Sequence, residues 1–174
     1  MSTSVSTALP VPVRANNSDD PAEILRFALD ALDGGGAALA TLVEIRGGAA
    51  RSLGAHLAVS SDGHYCGYLS GGCIEAAVAA EALKAMEEAR DRVVKYGEGS
   101  PFFDIVLPCG GGVTIAIHVL RGAGPLETVL DQLADRQTVA LNHDPQSQTL
   151  THSKTVPAGT KGHLYRSIVL RHVW

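Results

Sequence analysis

Basic surplus, aromatic rings, paired cysteines and long apolar runs are all scarce in this chain, and each scarcity removes a class of function. Lys and Arg number 14 against 18 Asp and Glu, a formal net charge of −4. That balance lacks the basic footprint of a nucleic-acid binder. The three cysteines, Cys66, Cys73 and Cys109, are an odd number with no Cys-x-x-Cys pair, which argues against a disulfide framework or a local zinc motif and fits a reducing cytoplasm. No stretch reaches the roughly 18 consecutive apolar residues of a membrane span. Met1–Asp20 holds one basic residue, Arg14, and none of the unbroken apolar core of a secretory signal. Aromatics are 5% of the 174 residues, whereas glycine numbers 19, well above the usual ~7%. Glycine is used where backbone bends sharply or approaches something closely, so the glycine-rich segments are where chemistry is sought.

Hydrophobic residues at 45% and charged residues at 18% describe a globular chain, of a size for one domain or a domain with an appendage. Residues 1–18 read as a disordered leader. A helix begins near Asp20, capped by Ser18, Asp19 or Asp20, with Pro21 in its first turn, an apolar stripe through Ile24, Leu25, Ala28, Leu29 and Leu32, and a stop at Gly34–Gly36. Ala37–Ile45 reads as a buried strand. Ala55–Ser60 and His64–Leu69 read as a hairpin about Ser61-Asp62-Gly63. A long alanine-rich helix runs from Ile74 to about Arg90. Val93–Tyr96, Phe103–Leu107 and Val113–Leu120 are further strands, Leu126–Leu133 a short helix, Thr138–Asn142 with Thr149–Thr151 a hairpin, and Ser167–Val173 a last strand. The expected class is α/β or α+β, a mixed sheet with hairpins packed by helices, plus a small C-terminal helix–hairpin segment.

Three glycine loops interrupt these elements. The first, Arg46-Gly47-Gly48-Ala49-Ala50-Arg51-Ser52-Leu53-Gly54, brackets small residues with two arginines. Arg51 can hold a phosphate or carboxylate, or the loop is mobile and its arginines simply solvated. The second, Ser70-Gly71-Gly72-Cys73-Ile74-Glu75, leads from a strand into a helix N-terminus, where N–H groups favour an anion and a thiolate. Here Glu75 either complements the helix dipole or holds a polar group of a ligand, and Cys73 is either reactive or packed. It is neither a Walker A loop nor a Gly-x-Gly-x-x-Gly fingerprint. The third, Pro108-Cys109-Gly110-Gly111-Gly112, has more glycine than a hairpin needs, which suggests a ligand against bare backbone or a wide hairpin. Cys66 lies within a strand and reads as packing, and most of the seven histidines read as ordinary surface or half-buried residues.

Taken in order, Ala40-Thr41-Leu42-Val43-Glu44, Arg51-Ser52-Leu53-Gly54-Ala55, Ser60-Ser61-Asp62-Gly63, Gly67-Tyr68-Leu69-Ser70-Gly71-Gly72-Cys73-Ile74-Glu75 and Leu107-Pro108-Cys109-Gly110-Gly111 closely resemble the N-terminal part of the xanthine dehydrogenase accessory protein family, XdhC/CoxI. Loop one departs from that family's usual Gly-Ser-x-Pro-Arg, reading Gly47-Gly48-Ala49-Ala50-Arg51. The resemblance implies a cytoplasmic chaperone for the molybdenum cofactor in its molybdopterin form, assisting its sulfuration and its insertion into an apo molybdenum hydroxylase of xanthine dehydrogenase or carbon monoxide dehydrogenase type. A cysteine desulfurase is an implied partner, and a homodimer the expected assembly. Carried over residue by residue, it places Ser70, Gly71, Gly72, Cys73, Glu75, Cys109, Gly110 and Gly111 around the cofactor, with Arg51 as the cationic partner of its phosphate. No catalytic residue and no resident metal are expected. Residues 19–122 correspond to the family's N-terminal domain and 123–174 to its connecting segment, with the family's C-terminal Rossmann-like domain expected to be missing. Two other readings stand beside this one: a small thiol-dependent enzyme or sulfurtransferase using Cys109 or Cys73, and a dimerisation or docking module without cofactor.

Overall fold

The structure, a computed structural model, describes residues 8–100, 107, 110–154, 159–161 and 164–169. In chain order the elements are β1 (Val13–Arg14), α1 (Pro21–Asp33), β2 (Ala37–Arg46), β3 (His56–Ser60), β4 (His64–Gly67), α2 (Glu75–Glu88), β5 (Arg92–Gly97), β6 (Gly112–Val119), α3 (Gly124–Ala134), β7 (Val139–Asp144), β8 (Thr149–Lys154), β9 (Gly159–Lys161) and β10 (Leu164–Val169). They form a six-stranded sheet in the order β1-β4-β3-β2-β6-β5 and a four-stranded sheet in the order β8-β7-β10-β9. The first is mixed, because β1 runs parallel to β4 while its other pairs are antiparallel. The mixed α/β class with hairpins is thus the one expected from the sequence.

The near-continuous apolar run of β2 has a simple cause: both of its faces are covered. Ala38, Ala40 and Leu42 join Leu57, Val59, Ile115 and Ile117 beneath the small-residue face of α2, Val78, Ala79 and Ala82. Ala37 and Leu39 point the other way, into a second core shared by Leu25 and Ala28 of α1, Leu126 and Val129 of α3, and Val139, Leu141 and Val169 of the smaller sheet. Alanine on both α2 and β2 lets helix and sheet approach closely. Helix α1 starts where its cap signal lies, with the Asp20 carboxylate accepting from the Glu23 N–H at 3.3 Å.

Residues 8–18 correct the expectation of a disordered leader. Val13 and Arg14 add a parallel strand to the sheet edge, with Val13 N–H donating to Gly63 O and Ala15 N–H to Tyr65 O. The Arg14 guanidinium donates to Gly67 O at 3.0 Å and lies over the rings of Tyr68 and Tyr65. Short-range composition marks this segment as polar, and only contacts some fifty residues away order it. In the smaller sheet, the β7–β8 hairpin is as read, and β7 pairs on its other side with β10. Strand β9 was not expected. Most of the strand read at Phe103–Leu107, together with Pro108, Cys109 and the end of the last strand, lies outside the described residues. No helix among the described residues is long and apolar enough to cross a membrane.

Candidate functional site

The turn from β4 into α2 is shaped from within by two side chains. Glu75, the first residue of α2, is 1% exposed. Its carboxylate accepts from Leu69 N–H at 3.0 Å, Ser70 N–H at 2.7 Å, Ile74 N–H at 3.2 Å and the Ser70 hydroxyl at 2.8 Å. The Ser70 oxygen in turn accepts from the N–H groups of Gly72 and Cys73, each at 3.2 Å. These N–H groups, read from the sequence as available to an anion, are therefore turned inward. The Glu75 carboxylate is turned into the loop and holds it from behind. What the loop offers outward is the backbone at Gly71 and Gly72 and the Cys73 side chain, an exposed free thiol whose sulfur lies 3.4 Å from Ser70 Oγ.

Loops one and three meet backbone to backbone. A Cβ built on Gly111 would run into Arg46 O and Gly48 O, well inside van der Waals contact. The bare backbone of the third loop thus accommodates the first loop, rather than leaving an open trough at Gly111. Gly110 is different: it is exposed, has φ +72° and has open space around its α-carbon. Cys109 lies outside the described residues. One cavity of about 240 Å³ is lined by Ala49 and Ala50 from the first loop, Leu69, Ser70, Gly71 and Cys73 at the second, and Leu107 and Val113, the residues on either side of the third. Its wall is mostly aliphatic, with the Cys73 thiol and the Ser70–Gly71 segment as its polar edge.

The two arginines of loop one do different work. Arg46 is committed to the strands, donating to Glu98 O at 2.8 Å, Thr114 Oγ1 at 2.7 Å and Val113 O at 3.1 Å, and pairing with Glu44. Arg51 lies on the other side of Ala50 from the cavity, in a second hollow of about 400 Å³ that also includes Asp19, Tyr68 and His56. Its guanidinium pairs with Asp19 at 3.0 Å and lies over the Tyr68 ring at 5.1 Å. Both partners of that pair are substantially exposed, so it exchanges readily for another anion. His56 at the same place is buried, with Nδ1 at 3.0 Å from Thr41 Oγ1 and no partner on Nε2. Burial pulls its pKa down to about 4, so the ring is neutral at physiological pH.

Cys66 behaves as packing: it is buried, its thiol donates to Asn16 Oδ1 at 3.2 Å, and burial raises its pKa. One polar group was missed by the sequence reading. Asp91 from the α2–β5 turn, His118 from β6 and His143 from β7 come together in the interior. No short-range spacing links them, and β6 and β7 are buried along nearly their whole length, so no alternation singles them out.

Residues 31–97 match the family model described as the XdhC and CoxI family. Over 140 residues the chain is 60% identical to the molybdenum cofactor insertion chaperone PaoD of Escherichia coli (strain K12), an alignment covering 80% of this chain and 44% of that protein. It is also 30% identical over 145 residues to the uncharacterized protein YqeB of Escherichia coli (strain K12), covering 71% of this chain and 27% of the other. The chain thus spans less than half the length of these curated relatives. A crystal structure of a xanthine dehydrogenase from Bacillus halodurans superposes with a TM-score of 0.64 at 20% identity, over 86% of this chain and 52% of that one, a likeness of fold. With the Ser70–Glu75 turn and its preceding strands inside the matched segment, the chain belongs to the XdhC and CoxI family.

Proposed function

We propose that this chain binds the molybdenum cofactor as cargo where its three glycine loops meet, and serves the insertion of that cofactor into a molybdenum enzyme. The observation that carries the reading is the convergence of Ala50, Gly71, Cys73 and Leu107 on a single cavity, in a chain so similar to a molybdenum cofactor insertion chaperone. Apolar walls with a few polar groups are the usual make-up of a small-molecule site. The cavity alone, at about 240 Å³, is smaller than the roughly 300 Å³ at which such sites begin. The cargo therefore extends across Ala50 into the neighbouring hollow.

In this arrangement Arg51 takes the phosphate of the molybdopterin form, releasing Asp19, with Tyr68 as the surface beneath it. The Cys73 thiol is a soft donor suited to a molybdenum centre carrying sulfur, and Gly71, Gly72 and the exposed Gly110 let backbone approach the cargo. Glu75 and Gly111 shape the loops rather than touch the ligand, Ser70 both holds its loop and lines the cavity, and Cys109 stands beside Gly110 in sequence as a second thiol. Residues 19–122 would act as the binding unit, with 123–174 as its connecting segment. The same reading includes sulfuration of the bound cofactor with a cysteine desulfurase, delivery to an apo hydroxylase, a cytoplasmic site of action and a homodimer. Gel filtration of the purified chain mixed with molybdenum cofactor tests it: molybdenum and pterin fluorescence are expected in the protein peak. Their elution at the small-molecule volume would refute the proposal.

A further inference from the structure

The strongest unexplained feature lies away from the loops, where the two sheets meet. Asp91, in the turn between α2 and β5, has a fully buried carboxylate. Its Oδ2 accepts from His118 Nδ1 of β6 at 2.7 Å and from His143 Nε2 of β7 at 2.8 Å. Its Oδ1 accepts from Val119 N–H and Arg121 Nη1, both at 3.0 Å. The imidazoles meet edge to face with centroids 5.0 Å apart. Arg121 also reaches Ala89 O at 3.1 Å and the Gln148 side chain at 2.8 Å, so α2, β6 and the β7–β8 turn share the same knot.

These distances are those of shared protons. Three ligands around a transition metal at about 2.1 Å stand further apart, and the Arg121 guanidinium on Oδ1 opposes another cation. With both rings neutral, the carboxylate and the guanidinium balance and every hydrogen bond to Asp91 is made. A proton on His143 leaves the buried cluster with an excess positive charge. The other titratable groups facing it are Asp144, next to His143 on β7, and Tyr165, which pairs with His143 from β10; Gln148 is neutral.

We propose that the Asp91–His118–His143 cluster is a pH-sensitive joint between the two sheets, closed while His143 is neutral and loosened when its imidazole gains a proton. The joint lies where the α2 end and the β7–β8 hairpin are tied to β6, while the shared apolar core about Leu39 and Leu141 holds the rest. Loosening is therefore local to β7 and β8 and does not unfold β2 and β3. Burial lowers the pKa of His143, with the Asp91 hydrogen bond working the other way, and this places opening below the ordinary histidine range of about 6.5.

Amide hydrogen exchange of the full chain at about pH 7.5 and about pH 5.5, corrected for intrinsic rates, tests this directly. Residues of β7 and β8 are expected to exchange on the order of tenfold faster in acid, with β2 and β3 unchanged. The His118→Asn, His143→Gln double variant keeps a donor at each position and removes the titration, and it is expected to lose the acid response. Uniform acceleration across both sheets, no acceleration, or an unchanged response in the double variant would overturn the proposal. If that variant fails to fold, ring NMR of the wild type decides. The His143 resonances are expected to titrate together with β7 opening, and protonation of that ring without opening contradicts the joint. Zinc chloride that remains bound after desalting and is lost on His118→Asn would identify a metal site instead.

Discussion

Ser70 Oγ stands 2.8 Å from Glu75 Oε2, and through that contact a buried carboxylate organises the whole turn from β4 into α2. The hydroxyl gives its proton to Glu75 and accepts from the backbone of Gly72 and Cys73. The paired glycines and the thiol therefore stand in one arrangement without a ligand to impose it. Glu75, read from the sequence either as a complement to the helix dipole or as a ligand contact, supports the groups that face the cavity.

Removing that support has a defined consequence. Glu75→Ala leaves the N–H groups of Leu69, Ser70 and Ile74 without their carboxylate acceptor, and stability in urea is expected to fall by about 3 kcal/mol or more. Glu75→Gln keeps one acceptor oxygen and sets an amide NH₂ against the remaining donors, so a smaller loss of about 1–2 kcal/mol is expected. Equal stability of wild type and Glu75→Ala would show that the loop is held by something else.

The third loop separates close approach from conformational freedom. Gly111→Ala drives a methyl into Arg46 O and Gly48 O, both backbone atoms that cannot swing aside; a loss of about 3 kcal/mol is expected. Gly110→Ala meets open space and is opposed only by its left-handed φ of +72°, for roughly 1 kcal/mol. Urea denaturation of the two variants side by side measures the difference, and the reverse order would contradict the loop contact.

Arg51 should matter for cargo and not for folding. Its exposed pair with Asp19 contributes under about 1 kcal/mol, so Arg51→Ala is expected to unfold at nearly the wild-type denaturant concentration. Loss of a charge-assisted bond to phosphate should weaken cofactor binding by roughly tenfold or more. Equilibrium dialysis with the cofactor, with the urea midpoint alongside, distinguishes the two. Unchanged binding would remove Arg51 from the site.

His56 sets an acid limit on stability. Its folded pKa, lowered by burial to about 4, lies beneath the unfolded value of about 6.5. The unfolded chain therefore binds the proton first as pH falls. The contribution is complete above about pH 6.5 and is lost down to about pH 4, on the order of 3 kcal/mol in all. His56→Leu is expected to flatten that part of a stability–pH curve measured in urea. A variant curve parallel to that of wild type would assign the acid loss to other groups.

Much of the main sheet was legible because its signals are local. The cap at Asp20, the unbroken apolar run from Ala37 and the turn at Ser61-Asp62-Gly63 each announce an element within a few residues. The chemistry was less legible, because it depends on partners far along the chain. That Gly111 faces Gly48 and that Arg51 is separated from Cys73 by Ala50 both follow from strand order. The same is true of Arg14 over Tyr68 and of the Asp91 cluster. No helical or strand period in the sequence marks any of them.

Filling the cavity tests the central claim most directly. Ala50 borders both the cavity and the Arg51 hollow, and Ala50→Trp would occupy the space proposed for the cargo. Molybdenum retained per chain after desalting, measured by elemental analysis on folded wild type and folded variant, is the decisive quantity. Stoichiometric retention by wild type and its loss in Ala50→Trp is the predicted result. Equal retention by both would show that the molybdenum cofactor, if bound, does not occupy the place where the three loops meet.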